Sequence, residues 1–281
     1  MVIGRLERRL SASATYATLA FFVAFCLFPF LWMVDTALKP PAEVRSVNPT
    51  FWIAHSTLEN FHRVLTDGNF LIYFRNSLIV AGGATILTLM ISTFCGYALS
   101  RFPREPVTRM VGSALLVSQM IPGVLILAPI YIIMRELGLL STYQSLILLY
   151  CVFSIPLSSF MLKGYFDSIP FELEEAAELD GCSRLGFILR ILLPLSAPGL
   201  LATGVFGFVT AWNEFLFGYV LINDEARRTL TPGIMVFKGP HLTDWGALMA
   251  ASVLAVIPVA LFFVNLQRFL IEGLSAGAVK G

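Results

Sequence analysis

Residues 171–181 read FELEEAAELDG, an acidic stretch within a chain that is otherwise mostly apolar. Pro170 suits the first turn of a helix, and Gly181 suits the left-handed residue that ends one. The stretch is therefore predicted to form a short helix over residues 170–180. Six carboxylates lie in or just before this helix and surround two adjacent alanines: Asp167, Glu172, Glu174, Glu175, Glu178 and Asp180.

Capping signals mark both this helix and the segment that follows it. Asp167 or Ser168 is predicted to cap the first helix, because short polar side chains accept hydrogen bonds from the free N–H groups of a first turn. Ser183 is predicted to cap a second helix over residues 184–192. Pro194 is expected to stop that helix, because proline lacks the N–H group that a helix interior needs.

The residue types of the first helix favour a docking surface. Apolar side chains spread over much of it, carboxylates line the rest, and the paired alanines leave room for a close approach by another molecule. Such a helix suits a groove with apolar and basic walls. A solvated acidic helix is the plainer alternative. The apolar residues are Phe171, Leu173, Ala176, Ala177 and Leu179.

Catalysis by the acidic helix is a third alternative, and the rest of the sequence does not favour it. Glu174 and Glu178 are four residues apart and share a face, as an acid–base or metal-binding pair would. The three histidines, His55, His62 and His241, lie far from them in the sequence. There is no H-E-x-x-H motif, nucleophile elbow or C-x-x-C pair. We therefore predict neither catalytic residues nor a metal site.

The composition of the whole chain identifies a membrane protein. Of its 281 residues, 57% are hydrophobic and 13% are charged, and the mean hydropathy is +0.79. Apolar runs reach roughly 18 to 25 residues, the length that crosses a hydrocarbon core of about 30 Å as a helix. The sequence thus predicts an all-α integral membrane protein with six transmembrane helices, at about residues 16–38, 71–99, 110–134, 142–162, 196–222 and 245–270.

Arginines set the predicted orientation. Three precede the first span and three follow the second, and short basic segments stay on the cytoplasmic side. Both termini and the acidic stretch are therefore predicted to be cytoplasmic. We divide the chain into a cytoplasmic N-terminus, residues 1–15, and a single transmembrane domain, residues 16–281, with the acidic loop at about 167–195. The six arginines are Arg5, Arg8, Arg9, Arg101, Arg104 and Arg109.

Interior prolines are expected to shape several spans. Each proline removes a backbone donor and tends to kink a helix. Such kinks either shape an ordinary bundle or curve the helices around a central path, and both alternatives stay open. The prolines are Pro122, Pro129, Pro156 and Pro258.

The acidic loop resembles the EAA loop of binding-protein-dependent ABC importers. The family pattern E-A-A-x3-G-x9-I-x-L-P is matched in full by Glu175-Ala176-Ala177, Gly181 and the segment 191–194. Four other segments resemble carbohydrate-uptake permeases, and the last of them resembles the end of the smaller permease in maltose-type transporters. These segments are 76–77, 96–102, 212–215 and 273–281.

This resemblance implies a type I ABC importer permease fold with cytoplasmic coupling helices that dock on an ATPase subunit. Glu175 would form a salt bridge to that subunit, and Asp180 would hold the turn after the helix. The tail 273–281 would reach toward the ATPase dimer, and residues 223–244 would contact a binding protein outside. The implied docking residues are Phe171, Glu175, Ala176, Ala177, Leu179, Asp180 and Gly181.

The resemblance also implies the partners and the cellular location. The chain lacks a G-x-x-x-x-G-K-[ST] phosphate loop, so we predict a transport component that binds no cofactor and is not itself an enzyme. ATP and Mg would be used by a pair of separate ATP-binding subunits. A second permease, an extracytoplasmic solute-binding protein and the lipid bilayer complete the expected partners, without nucleic acid. The location is a bacterial or archaeal plasma membrane.

The function thus predicted is the ATP-driven import of a sugar or related carbohydrate. Asn213, Glu214 and Asn76 are candidates for the translocation path, because polar residues within spans normally face a cavity or a partner. Hydrogen bonding between helices is the competing role for Asn213 and Glu214. A secondary transporter is the alternative function, although neither an internal repeat nor deeply placed charges favour it. The residues do not distinguish a disaccharide from a polyol or a glycerol phosphate ester.

Overall fold

The computed structural model describes residues 5–278, except residues 47, 49, 54, 240 and 241, and it describes side chains from residue 12 to residue 265, with residue 67 also excepted. Within these ranges the regular structure is helical, apart from one isolated antiparallel bridge between Lys238 and Thr243. The α-helices are α1 (Arg5–Leu38), α2 (Pro41–Val44), α3 (Glu59–Asp67), α4 (Phe70–Arg101), α5 (Pro106–Ser118), α6 (Leu127–Glu136), α7 (Tyr143–Asp167), α8 (Glu172–Leu179), α9 (Arg184–Phe187), α10 (Leu193–Leu195), α11 (Ala197–Asn213), α12 (Leu216–Leu221), α13 (Leu230–Gly233) and α14 (Trp245–Ala278).

Four helices are long and apolar enough to cross a membrane without interruption. They correspond to predicted spans one, two, four and six, and their candidate spans cover Ala12–Leu38, Phe70–Arg101, Tyr143–Asp167 and Trp245–Asn265. Two bent pairs raise the number to six if each pair is one span. Helices satisfy every backbone hydrogen bond internally, which is what a lipid environment requires.

The predicted third span is not one rod. α5 ends at Ser118, a 3-10 turn covers Gly123–Ile126, and the two limbs meet at 96°. Pro122 explains the break, because it lacks an N–H donor and disfavours a helical conformation for the residue before it. Pro156 and Pro258, by contrast, lie inside the continuous helices α7 and α14.

The predicted fifth span, residues 196–222, is also divided. An 82° bend separates Arg184–Leu195 from α11. α11 ends at Asn213, Glu214 is extended, and α12 follows as a separate short helix. Hydropathy counts apolar residues and does not register such breaks, so the sequence predicted a longer span than the structure contains.

The described chain divides into two compact units, residues 1–70 with 234–256 and residues 71–233 with 257–281. The first unit is organised around Asn60, which is fully buried. Its amide donates to the carbonyls of Ala37 and Lys39, each at 2.8 Å. Arg63 extends this network to Asp244 through an ion pair of 2.8 Å. These bonds tie α3 to the end of α1 and to the start of α14.

The second unit contains the acidic loop, and its local structure departs from the sequence prediction at two points. The residue that precedes α8 is Phe171, which provides no side-chain cap. Asp167 lies in the last turn of α7 instead, where it pairs with Lys163 at 2.5 Å and accepts from Ser100 at 2.7 Å. The predicted cap by Asp167 or Ser168 is therefore wrong.

The second predicted helix begins as expected and ends differently. Ser183 caps α9, since its Oγ accepts from the Gly186 N–H at 3.2 Å. The chain then widens into a π-helix over Ile188–Leu192 and continues as α10. Pro194 therefore does not stop the helix. The Leu193 N–H bonds the Ile188 carbonyl, so the backbone is already shifted to five-residue spacing before Pro194 is reached.

Candidate functional site

The helix α8 has one face buried against its own chain and one face exposed. Glu174 and Ala177 are 4% and 7% exposed. Their spacing of three residues places them on the same side of the helix. The side chains on the other faces are exposed and include Phe171, Leu173, Glu175, Ala176 and Leu179, of which Leu179 is 90% exposed.

Glu174 is the buried carboxylate of the acidic stretch, and two residues of α4 hold it. The Tyr97 hydroxyl donates to Glu174 Oε1. Arg101 Nε lies 3.2 Å from Glu174 Oε2, and both of these side chains are less than a tenth exposed. Burying a charge is costly unless it is paired, so this ion pair compensates the two buried charges, although Arg101 Nε and Glu174 Oε2 themselves form no hydrogen bond.

Arg101 contacts the acidic loop at two further points. One guanidinium nitrogen donates to the Ile169 carbonyl at 3.1 Å. The guanidinium also lies over the Phe171 ring, 5.8 Å from its centroid. The last residue of α4 thus binds the backbone and two side chains of the segment 169–174.

Ala177 packs into an apolar cluster where α4, α7 and α9 meet. The small side chain allows α8 to approach this cluster closely. Its buried members are Tyr97, Leu162, Phe166, Ala177, Phe187, Ile188 and Leu192.

The turn that ends α8 has the geometry expected of a helix followed by glycine. Gly181 adopts a φ of +79°. Its N–H donates to the Glu178 carbonyl at 3.0 Å, and the Cys182 N–H donates to the Ala177 carbonyl at 2.9 Å. These two bonds form a Schellman motif, in which a left-handed residue is required and glycine carries the least strain.

Six of the seven residues predicted to dock lie on accessible parts of the loop. Phe171, Glu175, Ala176, Leu179, Asp180 and Gly181 are exposed, while Ala177 is buried within its own chain. Ala177 therefore supports the helix from beneath.

The sequence prediction did not identify Tyr97, Arg101 and Glu174 as a group. Two signals were present, since Tyr97 and Arg101 are four residues apart on one helix and Arg101 follows an apolar run directly. Their partner Glu174 lies 73 residues after Arg101 in the sequence, and no local sequence pattern predicts a contact between such distant residues.

The three candidates for the translocation path lie away from the acidic loop in sequence, and they are not equivalent. Asn76 is fully buried. Its amide donates to the carbonyls of Ala226 and Arg228 at 2.9 Å, and its oxygen accepts from Tyr143 at 2.7 Å. Arg75 donates to the same oxygen at 3.2 Å, so the two amide hydrogens and both acceptor positions of Asn76 are already used and none is left for a passing solute.

Glu214 is likewise occupied, whereas Asn213 is exposed. The Glu214 carboxylate accepts from the Tyr150 hydroxyl at 2.5 Å and from the N–H groups of Phe217 and Gly218 at 3.0 and 3.1 Å. It therefore stabilises the first turn of α12, where a carboxylate is favourable. The contacts of Glu214 therefore agree with hydrogen bonding between helices, the structural role predicted for it.

A cavity of about 180 Å³ lies beside these residues, at the break between α5 and the 3-10 turn. Polar groups line one part of it, and the stacked rings of Phe153 and Phe217, 5.3 Å apart, form another part. No group of three or more potential metal ligands occurs in the described ranges. The polar lining residues are Ser118, Gln119, Tyr150, Ser154, Thr210 and Glu214.

Comparison with known proteins identifies the class of protein to which these features belong. The model of the family described as "binding-protein-dependent transport system inner membrane component" matches residues 88–275. A sulfoquinovosyl glycerol transport permease of Agrobacterium fabrum, SmoH, is 38% identical over 256 residues, which are 91% of this chain and 89% of the relative. A trehalose/maltose transport permease of Thermococcus litoralis, MalG, is 37% identical over 264 residues, which are 91% of this chain and 92% of the relative.

Solved structures confirm the fold. A chain of a bacterial ABC transporter involved in alginate import superposes with a TM-score of 0.80 and 21% identity, over 95% of this chain and 99% of that one. The predicted type I ABC importer permease fold is therefore confirmed. The prediction that the chain is a multi-pass membrane protein is confirmed as well. On the family match and on both relatives, this chain belongs to the inner membrane components of binding-protein-dependent transport systems.

Proposed function

We propose that the chain is one permease subunit of an ATP-driven ABC importer, which carries a sugar or related carbohydrate from an external binding protein into the cytoplasm. The observation that supports this proposal most directly is the division of α8 into a buried face and an exposed face. One face is fixed to the chain by Glu174 and Ala177, and the other presents apolar and acidic side chains to a partner. Family membership favours this function over a secondary transporter.

The partner at α8 would be an ATP-binding subunit. Leu179 and Phe171 would enter an apolar groove, and Glu175 would pair with a basic side chain on its rim. The small Ala176 would allow the close approach of the groove wall. Two ATP-binding subunits would hydrolyse ATP with Mg, and this chain would convert their closure into movement of its spans. A second permease and an external solute-binding protein would complete the importer.

The proposed orientation follows from the arginine distribution and from the docking role. Both termini and α8 would face the cytoplasm, and the segment 225–230 would face outward. Outward placement suits contact with a binding protein. The predicted reach of the tail 273–281 toward the ATPase lies outside the residues whose side chains the structure describes.

Carbohydrate is the proposed substrate class, because the names of both relatives indicate sugars or sugar derivatives. The cavity beside Phe153 has hydroxyl, amide and aromatic walls, which are the groups that bind sugar rings by hydrogen bonding and apolar contact. Among the path candidates, Glu214 lines this cavity, whereas Asn213 is exposed and is not among the lining residues. Asn76 is better explained as a support of the surrounding helices.

The experiment that tests the proposal isolates the tagged chain from its native membrane under mild conditions and identifies the chains that co-purify. We expect an ATP-binding subunit and a second permease. Glu175→Ala should weaken the association with the ATP-binding subunit, because it removes the proposed salt bridge. Glu136→Ala is the matched control, since Glu136 is also an exposed carboxylate but lies outside the loop. Isolation of the chain alone, with transport that needs no ATP, would contradict the proposal.

A further inference from the structure

We propose that α4 is the element that transmits movement between the acidic loop and the segment 225–230, with Glu174 and Arg101 as the positioning pair at one end and Asn76 at the other. The inference rests on the proposed function, because it concerns how displacement of α8 by an ATP-binding subunit would reach the opposite part of the permease.

Polar contacts fix α4 near both of its ends. At its C-terminal end, Arg101 binds the Glu174 carboxylate, the Ile169 carbonyl and the Phe171 ring. Tyr97, one turn earlier, donates to the same carboxylate. The bonds from Tyr97 to Glu174 and from Arg101 to the Ile169 carbonyl are hydrogen bonds and therefore directional, so they fix the position of this loop against α4 more narrowly than apolar packing alone would.

In the N-terminal part of α4, three residues within about one helical turn bind one short segment. Tyr73 donates to Glu225 at 2.9 Å. Asn76 donates to the carbonyls of Ala226 and Arg228. The Ser77 hydroxyl accepts from the Leu230 N–H at 2.8 Å. The segment 225–230 would therefore follow any displacement of this part of α4.

The two fixed ends of α4 are joined by a long and continuous helix. α4 is an unbroken helix of 32 residues. Its course from Asn76 to Arg101 is about 37 Å at 1.5 Å per residue, which exceeds the thickness of a hydrocarbon core. The third predicted span is bent by 96°, and the fifth is divided at Glu214 between α11 and α12. An unbroken helix pinned at both ends transmits displacement better than a bent pair.

Variants of the buried ion pair distinguish a role in transmitting movement along α4 from a role in stabilising the fold alone. Glu174→Gln keeps an acceptor for Tyr97 but leaves the Arg101 charge without a counter-charge. The double variant Glu174→Gln with Arg101→Met removes that uncompensated charge, so the loop regains its stability. It does not regain the contacts of Arg101 with Ile169, Phe171 and residue 174. If the pair only stabilises the fold, the double variant should function normally.

The test uses the complete importer in proteoliposomes, with the four native cysteines replaced and a single reporter cysteine at Ala226, which is exposed. The readout is the labelling rate of Ala226→Cys by a membrane-impermeant maleimide, with and without ATP and vanadate. We expect a change of roughly fivefold or more in the parent protein, within the range of ordinary coupling between sites. Glu174→Gln, Asn76→Ala and the double variant should each reduce the change below about twofold, which corresponds to a loss of most of this coupling.

Glu136→Gln makes the same chemical change in an exposed pair with Arg135 and should keep the full ATP response. A full response in the double variant would overturn the proposal, as would a parent protein that carries ATP-binding subunits but shows no ATP response. Absence of any ATP-binding subunit in the complex is a different result, because it contradicts the proposed function itself.

Discussion

Two neighbouring carboxylates in the acidic loop have opposite environments. Glu174 is buried and paired with Arg101, whereas Glu175 is exposed. The helix rotates by about 100° per residue, so one position faces the bundle and the next faces outward. The first residue supports the loop, and the second is available to a partner.

This difference predicts that alanine substitutions at the two positions affect different properties. Glu174→Ala leaves the Arg101 guanidinium buried without its counter-charge, which costs about 3–5 kcal/mol. We expect a lower melting temperature of the chain in detergent by several degrees. Glu175→Ala should leave that temperature unchanged, because an exposed carboxylate contributes little to stability. Equal melting temperatures for the two variants would contradict the burial described here.

Some features of the loop follow from single residues in the sequence, and others do not. Gly181 and Ser183 were predicted correctly, because a left-handed C-terminal residue and a serine cap depend on local backbone geometry alone. The predicted cap by Asp167 was wrong, because Lys163 and Ser100 bind that carboxylate. The pairing of Glu174 with Arg101 joins distant parts of the chain, so no local pattern could have predicted it.

At the scale of the element, helix positions were predicted better than helix continuity. The four unbroken helices agree with predicted spans, because long apolar runs decide both. The bend at Pro122 agrees with the kink expected from an interior proline, whereas the break at Glu214 between α11 and α12 was not predicted. The π-helix over Ile188–Leu192 was not predicted either, because its wider turn has no simple signature in residue types.

Two glycines in α4 provide a prediction about how this helix packs. A Cβ atom at Gly96 would lie 2.9 Å from the Ser159 carbonyl oxygen and 3.1 Å from Leu162 Cβ, both on α7. At Gly82 a Cβ atom would meet no atom within 4 Å. Alanine favours a helix over glycine by about 1 kcal/mol, so Gly82→Ala should raise the melting temperature slightly. Gly96→Ala should lower it, because α4 and α7 must separate.

The same two variants also show whether transport depends on the contact between α4 and α7 or only on the helix propensity of α4. ATP-driven uptake in proteoliposomes should persist in Gly82→Ala and fall in Gly96→Ala. If the two variants had the same melting temperature and the same uptake, the close approach of α4 and α7 at Gly96 would not be needed for stability or for transport.

At the scale of the whole molecule, the exposed surfaces are as informative as the buried ones. α8 presents Leu179, 90% exposed, at one end of the path along α4, and the segment 225–230 presents Ala226 at the other. The proposed function places these two positions on opposite sides of the membrane and covers Leu179 with an ATP-binding subunit. Both consequences can be measured with single cysteines in a chain whose native cysteines are replaced.

In intact cells or spheroplasts, a membrane-impermeant maleimide should label Ala226→Cys and not Leu179→Cys. In inside-out vesicles Ala226→Cys should be protected. Leu179→Cys should react there only after the ATP-binding subunits have been removed, because the proposed groove encloses it. Labelling of Leu179→Cys in intact cells would contradict the orientation that the arginines predict. Equal labelling of Leu179→Cys before and after removal of those subunits would show that α8 is not their docking site, even though the chain belongs to the family.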